Sequence, residues 1–203
     1  MTTSTVYLRE SATGMMVAGE LHDEVSDAHL AMWDATWTPV MKAHCAGQAR
    51  SRRPEDGHWD WRRKANAWRP LVGYQSFAIV CRGVLEGLML TSDFKSARLP
   101  SQFGKPLVYV EFVATAPWNR SEVQKPPRYT GVGGVFVDTA IQLSLDSGFR
   151  GRVGLHSLPQ AVGFYRLACG MTALGVDSAH ESLMYFEMTA QVAAAFRRKR
   201  GAK

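Results

Sequence analysis

Three β-rich runs follow one another in the middle of the chain: residues 74–81, 84–91 and 107–114. Only Arg82-Gly83 separates the first two runs, and a two-residue connection of this kind is typical of a tight hairpin. The third run, LVYVEFVA, ends shortly before Pro117, whose nitrogen cannot donate to a sheet ladder. The sequence therefore predicts an antiparallel centre for a β-sheet.

Helical patterns lie on both sides of these strands. Apolar residues recur at three- and four-residue steps over residues 26–44, which predicts an amphipathic helix that ends near Gly47 and could bend at Pro39. Further helices are predicted at residues 58–68, 132–148 and 160–168, and further strands at residues 5–9, 15–20, 152–156, 171–175 and 183–188. The predicted fold class is α+β, with a mixed sheet flanked by helices.

The composition is that of an ordinary globular protein. The 203 residues are 46% hydrophobic and 21% charged, which fits a single domain over residues 1–203. The three cysteines are too few and too scattered for a disulfide framework or a zinc ribbon, so we expect no metal and a reducing, cytoplasmic location. The first residues, MTTSTVYLRE, lack the pattern of a signal peptide, and no membrane contact is expected.

Positive charge is unevenly distributed. The net charge is +6, and five positive residues lie in a basic tail at residues 197–203. Smaller clusters lie at residues 50–53 and 62–64. This pattern indicates local anion contacts rather than a general nucleic-acid surface, although it keeps open a basic nucleic-acid-binding protein on a degenerate scaffold.

The glycine-rich segment RYTGVGG at residues 128–134 stands after a strand and at the start of a helix. Glycines let a diphosphate approach the backbone, and N–H groups of the first helical turn point towards the anion. The alternative is a flexible loop that only caps the helix. A P-loop is excluded because no Gly-Lys-Ser/Thr follows.

Three segments, in this order, resemble the GNAT superfamily of acyl-CoA-dependent N-acyltransferases. YVEFVATAP at residues 109–117 resembles the family's fourth strand, RYTGVG its pyrophosphate turn, and AVGFYRLACGM at residues 161–171 its last cofactor-side helix. The sequence departs from the family pattern in an insertion at residues 121–127, in Leu158 where an Asn is common, and in one additional residue between Tyr165 and Gly170.

The resemblance implies a mostly antiparallel sheet of about seven strands, splayed between the fourth and fifth, that binds acetyl-CoA as a cosubstrate. Pantetheine would bond to the strand backbone at the splay, and the diphosphate would lie at the glycine turn. The implied cofactor-binding residues are Val113, Ala114, Thr115, Arg128, Tyr129, Thr130, Gly131, Val132, Gly133, Gly134 and Phe164.

Two residues are candidates for acid–base catalysis. Glu111 lies in an otherwise apolar strand, where an unpaired carboxylate would be costly, so it is either a base that deprotonates an amine acceptor or a paired structural residue. The resemblance implies that Tyr165 protonates the leaving thiolate; its alternative role is packing. The expected activity is direct transfer of an acetyl group to a primary amine of a small molecule or protein. The acceptor is not predicted, and a homodimer is an open possibility.

Overall fold

The computed structural model describes residues 2–49 and 53–201. Its strands are β1 (Thr3–Glu10), β2 (Met16–His22), β3 (Tyr74–Cys81), β4 (Val84–Ser96), β5 (Pro106–Thr115), β6 (Tyr129–Thr130), β7 (Val153–Ser157), β8 (Thr172–Asp177) and β9 (Leu183–Met188). Its α-helices are α1 (Asp27–Met32), α2 (Thr38–Cys45), α3 (Trp61–Trp68), α4 (Val132–Asp146) and α5 (Ala190–Gly201).

The strands form one sheet in the order β6-β1-β2-β3-β4-β5-β7-β9-β8, which confirms the predicted α+β class. The sheet has nine strands rather than about seven. One strand beyond the number that the family resemblance implies is β2, which the sequence pattern predicted at residues 15–20 and which pairs antiparallel with β1 over seven residue pairs. The other is β6, only two residues long, which pairs with Arg9 and Glu10. A two-residue strand carries no periodicity, so its sequence could not predict it.

The described chain divides into two compact units. The first unit comprises Met1–Leu90 and Phe112–Val135, and the second comprises Thr91–Glu111 and Phe136–Lys203. The single domain expected for residues 1–203 stays a prediction.

The core of the first unit is built largely from tryptophans. Trp37, Trp61 and Trp68 are buried, and Trp33 and Trp59 pack against the same cluster. The indole Nε1 of Trp37 donates to the carbonyl oxygen of Leu85 at 2.9 Å, which satisfies the one polar atom that this ring buries. The tryptophan-rich segment is therefore mainly core.

The predicted helix over residues 26–44 is interrupted. Ser26 caps α1 by accepting from the backbone N–H of His29. A π-helical turn, Trp33–Trp37, then joins α1 to α2, and Thr38 N–H donates to the carbonyl oxygen of Trp33. Pro39 lies in the first turn of α2, where its missing N–H costs least. Where the sequence predicted a bend at Pro39, the structure has a π-helical turn that ends at Trp37, just before this proline.

In the second unit, β5 and β7 pair in parallel over only three residue pairs, which end at Val110 and Leu155. β5 itself continues to Thr115. A ladder that covers only the first part of β5 agrees with the splay expected between the family's fourth and fifth strands. The next two pairings along the sheet, β7 with β9 and β9 with β8, are antiparallel.

Glu187 of β9 is fully buried in the second unit. Its carboxylate accepts hydrogen bonds from the backbone N–H groups of Arg98 and Leu99, from Gln102 Nε2 and from the Tyr185 hydroxyl. Four donors compensate for the removal of this carboxylate from water. Glu187 therefore fixes the backbone at Arg98 and Leu99.

The basic tail is largely helical, because α5 extends to Gly201 and includes Arg197, whose Nε lies 3.1 Å from Asp138 Oδ1. Alanines favour this helix, and basic residues in its last turn suit the helix dipole. Residues 202 and 203 lie outside the described chain. In the described part of the chain, no helix combines the length and apolar character needed to cross a membrane.

Candidate functional site

The glycine turn at the start of α4 has the geometry that its sequence predicts. Gly131 has a φ of +98°, and a Cβ built on it would meet nothing within 4 Å. Its carbonyl oxygen accepts from Val135 N–H at 2.9 Å, which closes the first turn of α4. The N–H groups of Val132, Gly133 and Gly134 precede that bond and have no partner within the helix. This turn is a suitable site for an anion.

A buried carboxylate anchors the segment that leads into the turn. Glu86 is fully buried, and its Oε2 accepts from Trp118 Nε1 and Asn119 Nδ2, both at 2.7 Å. Asn119 Oδ1 in turn accepts from Tyr129 N–H at 2.9 Å, and Arg128 N–H donates to the carbonyl oxygen of Trp118 at 2.8 Å. Glu86 thus holds the residues immediately before Gly131 through two neighbours.

The Arg128 guanidinium is partly engaged inside the protein. Its NH1 lies 3.7 Å from Glu86 Oε1, and its side chain is 37% exposed. Burial raises the pKa of Glu86, while the two hydrogen bonds and the charge of Arg128 lower it. Arg128 therefore partly compensates a buried carboxylate, and its expected contact with a cofactor phosphate stays a prediction.

The end of β5 is tied down by Arg120. Arg120 Nε donates to the Thr115 carbonyl oxygen at 2.9 Å, and its two terminal nitrogens bond the two oxygens of Asp56 at 2.8 and 2.7 Å. Both side chains of this ion pair are mostly buried, at 11% and 6% exposure. Of the three strand residues expected to bind pantetheine through their backbone, Thr115 has its carbonyl oxygen engaged by Arg120. The pantetheine contacts of Val113, Ala114 and Thr115 stay a prediction.

Glu111 is half-buried, and its Oε1 accepts a hydrogen bond from the Ser92 hydroxyl at 2.7 Å. The expectation that this carboxylate would be paired or face a polar region is consistent with that contact. A serine hydroxyl carries no charge, so this contact gives Glu111 a hydrogen-bond partner but no counter-ion.

Tyr165 lies in a short π-helical segment, Phe164–Ala168. A π-helical turn accommodates one more residue than an α-helical turn, which matches the additional residue between Tyr165 and Gly170. Tyr165 is 6% exposed and packs against Phe164 and Phe186 at ring-centroid distances of 5.1 and 6.0 Å. Burial raises the pKa of Tyr165 above that of free tyrosine, so the phenol is protonated at neutral pH.

The cysteines are suited to packing rather than chemistry. Cys45, Cys81 and Cys169 are all free, and burial raises the pKa of Cys169 to about 12. A thiol with so high a pKa holds almost no thiolate at neutral pH, so Cys169 is not an activated nucleophile.

Sequence reasoning missed the contacts of Lys64. Its Nζ lies 3.1 Å from the ring centroid of Phe112 and 4.5 Å from that of Trp59. Phe112 stands between Glu111 and Val113 in β5, so an ammonium group already lies against an aromatic residue of this strand. The only available signal was the alternation of charge and tryptophan at residues 58–68, which did not indicate a partner.

The first unit also contains two cavities lined by aromatic and acidic side chains. One, of about 330 Å³, is lined by residues that include Asp23, Glu24, Trp61 and Trp68. Carboxylates beside indole rings are chemically suited to a cationic group. The other, of about 380 Å³, is lined by residues that include Trp33, Asp34, Trp37, Asp56, Trp59 and Arg120.

Comparison with known proteins gives the fold. No protein-family model matches the sequence, and no curated protein matches it. Among solved structures, FeeM, an N-acyl amino acid synthase from uncultured soil microbes, matches with a TM-score of 0.55 and 10% identity over 87% of this chain and 94% of that chain. The PaiA N-acetyltransferase from Thermoplasma acidophilum, solved with coenzyme A, has a TM-score of 0.53 and 12% identity over 84% and 98% of the two chains.

The GNAT domain of S. lividans PAT matches with a TM-score of 0.50 and 13% identity over 92% of this chain and 96% of that domain. These likenesses cover most of both chains. The chain therefore has the GNAT fold, as the resemblance of its motifs predicted.

Proposed function

We propose that this protein is an acyl-CoA-dependent N-acyltransferase that moves an acyl group, with acetyl as the first candidate, directly to a primary amine. The observation that carries the proposal is the glycine turn that opens α4 on a GNAT fold. Gly131 adopts a φ of +98° with open space where a side chain would be, and this leaves room for a diphosphate beside the N–H groups of the first turn.

The proposed cofactor contacts follow from that turn. The N–H groups of Val132, Gly133 and Gly134 would bind the pyrophosphate, supported by the helix dipole of α4. The backbone of Val113 and Ala114 in β5 would bond to the pantetheine arm. One of these N–H groups would also stabilise the thioester oxygen as it becomes an oxyanion, a contact worth about 3 kcal/mol in comparable sites.

The proposed chemistry needs one base and one acid. Glu111 removes a proton from the acceptor ammonium, directly or through water, and the free amine attacks the thioester carbonyl carbon. A carbon–nitrogen bond forms, the carbon–sulfur bond breaks, and the thiolate takes a proton from the Tyr165 hydroxyl. The attacking nitrogen loses its surplus proton to water as the amide forms, and a proton from water restores the Tyr165 phenol. Neither Ser nor Cys occurs at residues 106–115, which supports direct transfer without an acyl-enzyme.

A cavity in the first unit supports an amine as the acceptor. A primary amine reaches the protein as an ammonium ion, and the cavity of about 330 Å³ that Asp23, Glu24, Trp61 and Trp68 line offers carboxylates and aromatic faces to such a cation. Arg69 also lines this cavity, and its guanidinium is paired with Asp27 at 2.7 Å. Acidic side chains and aromatic rings would both be stabilised by the charge that the acceptor carries before deprotonation. A cytoplasmic location and a homodimer remain predictions from the sequence.

The experiment is a transfer assay with a panel of amines, in which the release of free CoA thiol is followed. Donors include acetyl-CoA and a long-chain acyl-CoA, and acceptors include amino acids because FeeM is an N-acyl amino acid synthase. Amine-dependent thiol release that disappears in Gly131→Asp is the expected result. Gly104→Asp is the matched control, because Gly104 also has a positive φ, +73°, with nothing within 4 Å of its Cβ position.

Two outcomes would contradict the proposal. Loss of activity in both glycine variants would show that backbone strain, and not the cofactor, explains the effect. Absence of CoA binding together with salt-sensitive binding of nucleic acid would favour the alternative of a basic nucleic-acid-binding protein on this scaffold.

A further inference from the structure

The second unit contains a cluster of three side chains that the proposed transfer chemistry does not use. The cluster consists of His156 in β7, Asp177 at the end of β8 and His180 in the turn that follows β8. Each residue offers one nitrogen or oxygen atom, and these three atoms lie within 4.8 Å of one another. Within residues 2–49 and 53–201, no other three His, Cys, Asp or Glu side chains bring their ligand atoms this close together.

The distances in the cluster fit ligands of a single ion. His156 Nε2 and His180 Nδ1 lie 3.0 and 3.2 Å from Asp177 Oδ2. Zinc–ligand bonds of about 2.0–2.1 Å at tetrahedral angles place neighbouring donors about 3.3 Å apart. The two distances from Asp177 Oδ2 to the histidine nitrogens are thus close to the distance between neighbouring ligand atoms in a tetrahedral zinc site.

The His180 ring nitrogen is the atom that the protein itself leaves unsatisfied. His180 Nδ1 is buried, and in the described chain it has no hydrogen-bond partner. Its 3.2 Å approach to Asp177 Oδ2 lacks hydrogen-bond geometry. The His156 and His180 rings are stacked with centroids 4.1 Å apart and planes within 5°. A buried imidazole nitrogen without a partner costs free energy unless something else binds it.

The groups behind the cluster resemble the outer shell of a metal site. The Tyr109 hydroxyl is 2.5 Å from His156 Nδ1, whereas the other ring nitrogen, Nε2, faces Asp177. The backbone N–H of Ala179 donates to Asp177 Oδ1 at 3.0 Å, so the carboxylate is held with its other oxygen towards the histidines. Metal-binding histidines and carboxylates are commonly oriented by such contacts.

We propose that His156, Asp177 and His180 bind a divalent transition-metal ion, with Zn²⁺ as the ion that suits two imidazoles and one carboxylate. Three protein ligands leave one coordination position open for water or a ligand atom. Binding through His156 Nε2 requires the ring proton to be at Nδ1, where it is donated to the Tyr109 oxygen. In the structure His156 Nε2 instead donates to Asp177 Oδ2 at 3.0 Å, so metal binding releases that proton to water, water protonates Nδ1, and the Tyr109 hydroxyl turns its own proton away from Nδ1.

Arg98 would compete with a metal ion for the Asp177 carboxylate. Its NH1 lies 2.5 Å from Asp177 Oδ2, and its side chain is 48% exposed. A carboxylate oxygen has two lone pairs, so Asp177 can bond a metal ion and a guanidinium together. The exposed Arg98 side chain can also move aside into solvent. The inference does not depend on the acyl-transfer proposal.

The test is calorimetric titration of Zn²⁺ into metal-stripped full-length protein, followed by a Co²⁺ titration monitored by visible absorption. We expect one ion per chain and the intense absorption of four-coordinate Co²⁺. His180→Ala removes a partly exposed ligand and should abolish both signals while the circular dichroism spectrum stays unchanged. Tyr109→Phe removes only an outer contact and should weaken Zn²⁺ binding about 10–100-fold.

His58→Ala is the matched control, because His58 is an exposed histidine outside the cluster. Zn²⁺ binding of that variant should equal that of the parent protein. Equal Zn²⁺ affinity in His180→Ala and His58→Ala, or no stoichiometric binding by the parent protein, would overturn the proposal.

Discussion

Replacing Glu86 by Ala tests the anchoring of the cofactor turn. The substitution leaves Trp118 Nε1 and Asn119 Nδ2 without their acceptor, since both donate to Glu86 Oε2 at 2.7 Å. A buried donor without a partner costs about 1–3 kcal/mol, so the two together cost about 2–6 kcal/mol. Relief of the buried charge offsets part of this, because burial raises the pKa of Glu86. We expect a net loss of about 2–4 kcal/mol.

Urea unfolding followed by tryptophan fluorescence measures this loss. A protein of this length has a stability of about 5–15 kcal/mol, so the expected change is large but leaves a folded population. The control is Glu86→Gln, whose amide oxygen still accepts a hydrogen bond and which should lose less. A free energy of unfolding within about 0.5 kcal/mol of the parent for Glu86→Ala would refute the reasoning, since surface substitutions change stability by that little.

The pH dependence of the same pair provides a second measurement. The pKa of Glu86 is raised above its ordinary value of 4.5, so the folded state binds the proton more tightly than the unfolded state. The stability that this proton contributes is complete below the ordinary value and is lost as the pH rises through the folded-state value. Glu86→Gln lacks this loss, so the difference in unfolding free energy between this variant and the parent should shrink as the pH rises above about 4.5 and through the folded-state pKa of Glu86. A constant deficit would show that Glu86 has no raised pKa.

Three further substitutions test the proposed mechanism and the Arg120–Asp56 ion pair. Glu111→Gln should lower acyl transfer at neutral pH and regain part of it at high pH, where the acceptor amine loses its proton unaided; equal activity at every pH would make Glu111 structural. Tyr165→Phe should lower kcat about 100-fold or more with CoA affinity little changed, whereas a kcat within about twofold of the parent would remove Tyr165 from the mechanism. Arg120→Ala should destabilise the protein by about 3–5 kcal/mol in urea unfolding because it removes one member of a mostly buried ion pair with Asp56. Arg120→Lys should lose less, and equal losses would show that the charge is not the cause.

The elements predicted well are those with strong local patterns. The hairpin at Arg82-Gly83 follows from turn chemistry, and both residues have the positive φ values of 50° and 73° that such turns need. The strand at residues 107–114 and the helix after the glycine turn were also found within two residues of their observed ends. The π-helical turns were not predicted, because they arise from how a helix accommodates an additional residue and not from periodicity.

The site was predicted only in its local parts. Closely spaced glycines are visible in the sequence and predict a turn. In the structure Gly131 has a positive φ, which glycine adopts more readily than other residues. Partners distant along the chain could not be found in this way. Glu86 and Asn119 are 33 positions apart, and Tyr109 and His156 are 47 positions apart. Such pairs depend on strand order, which no single segment specifies.

Calorimetric titration of CoA into the purified protein tests the central claim most directly. The account predicts one binding site per chain with roughly micromolar affinity, lost in Gly131→Asp and retained in Gly104→Asp. The loss is expected because the new carboxylate would meet the diphosphate beside the first turn of α4. Absence of CoA binding by the parent protein, or unchanged affinity in a folded Gly131→Asp variant, would contradict the assignment of the glycine turn as a cofactor site.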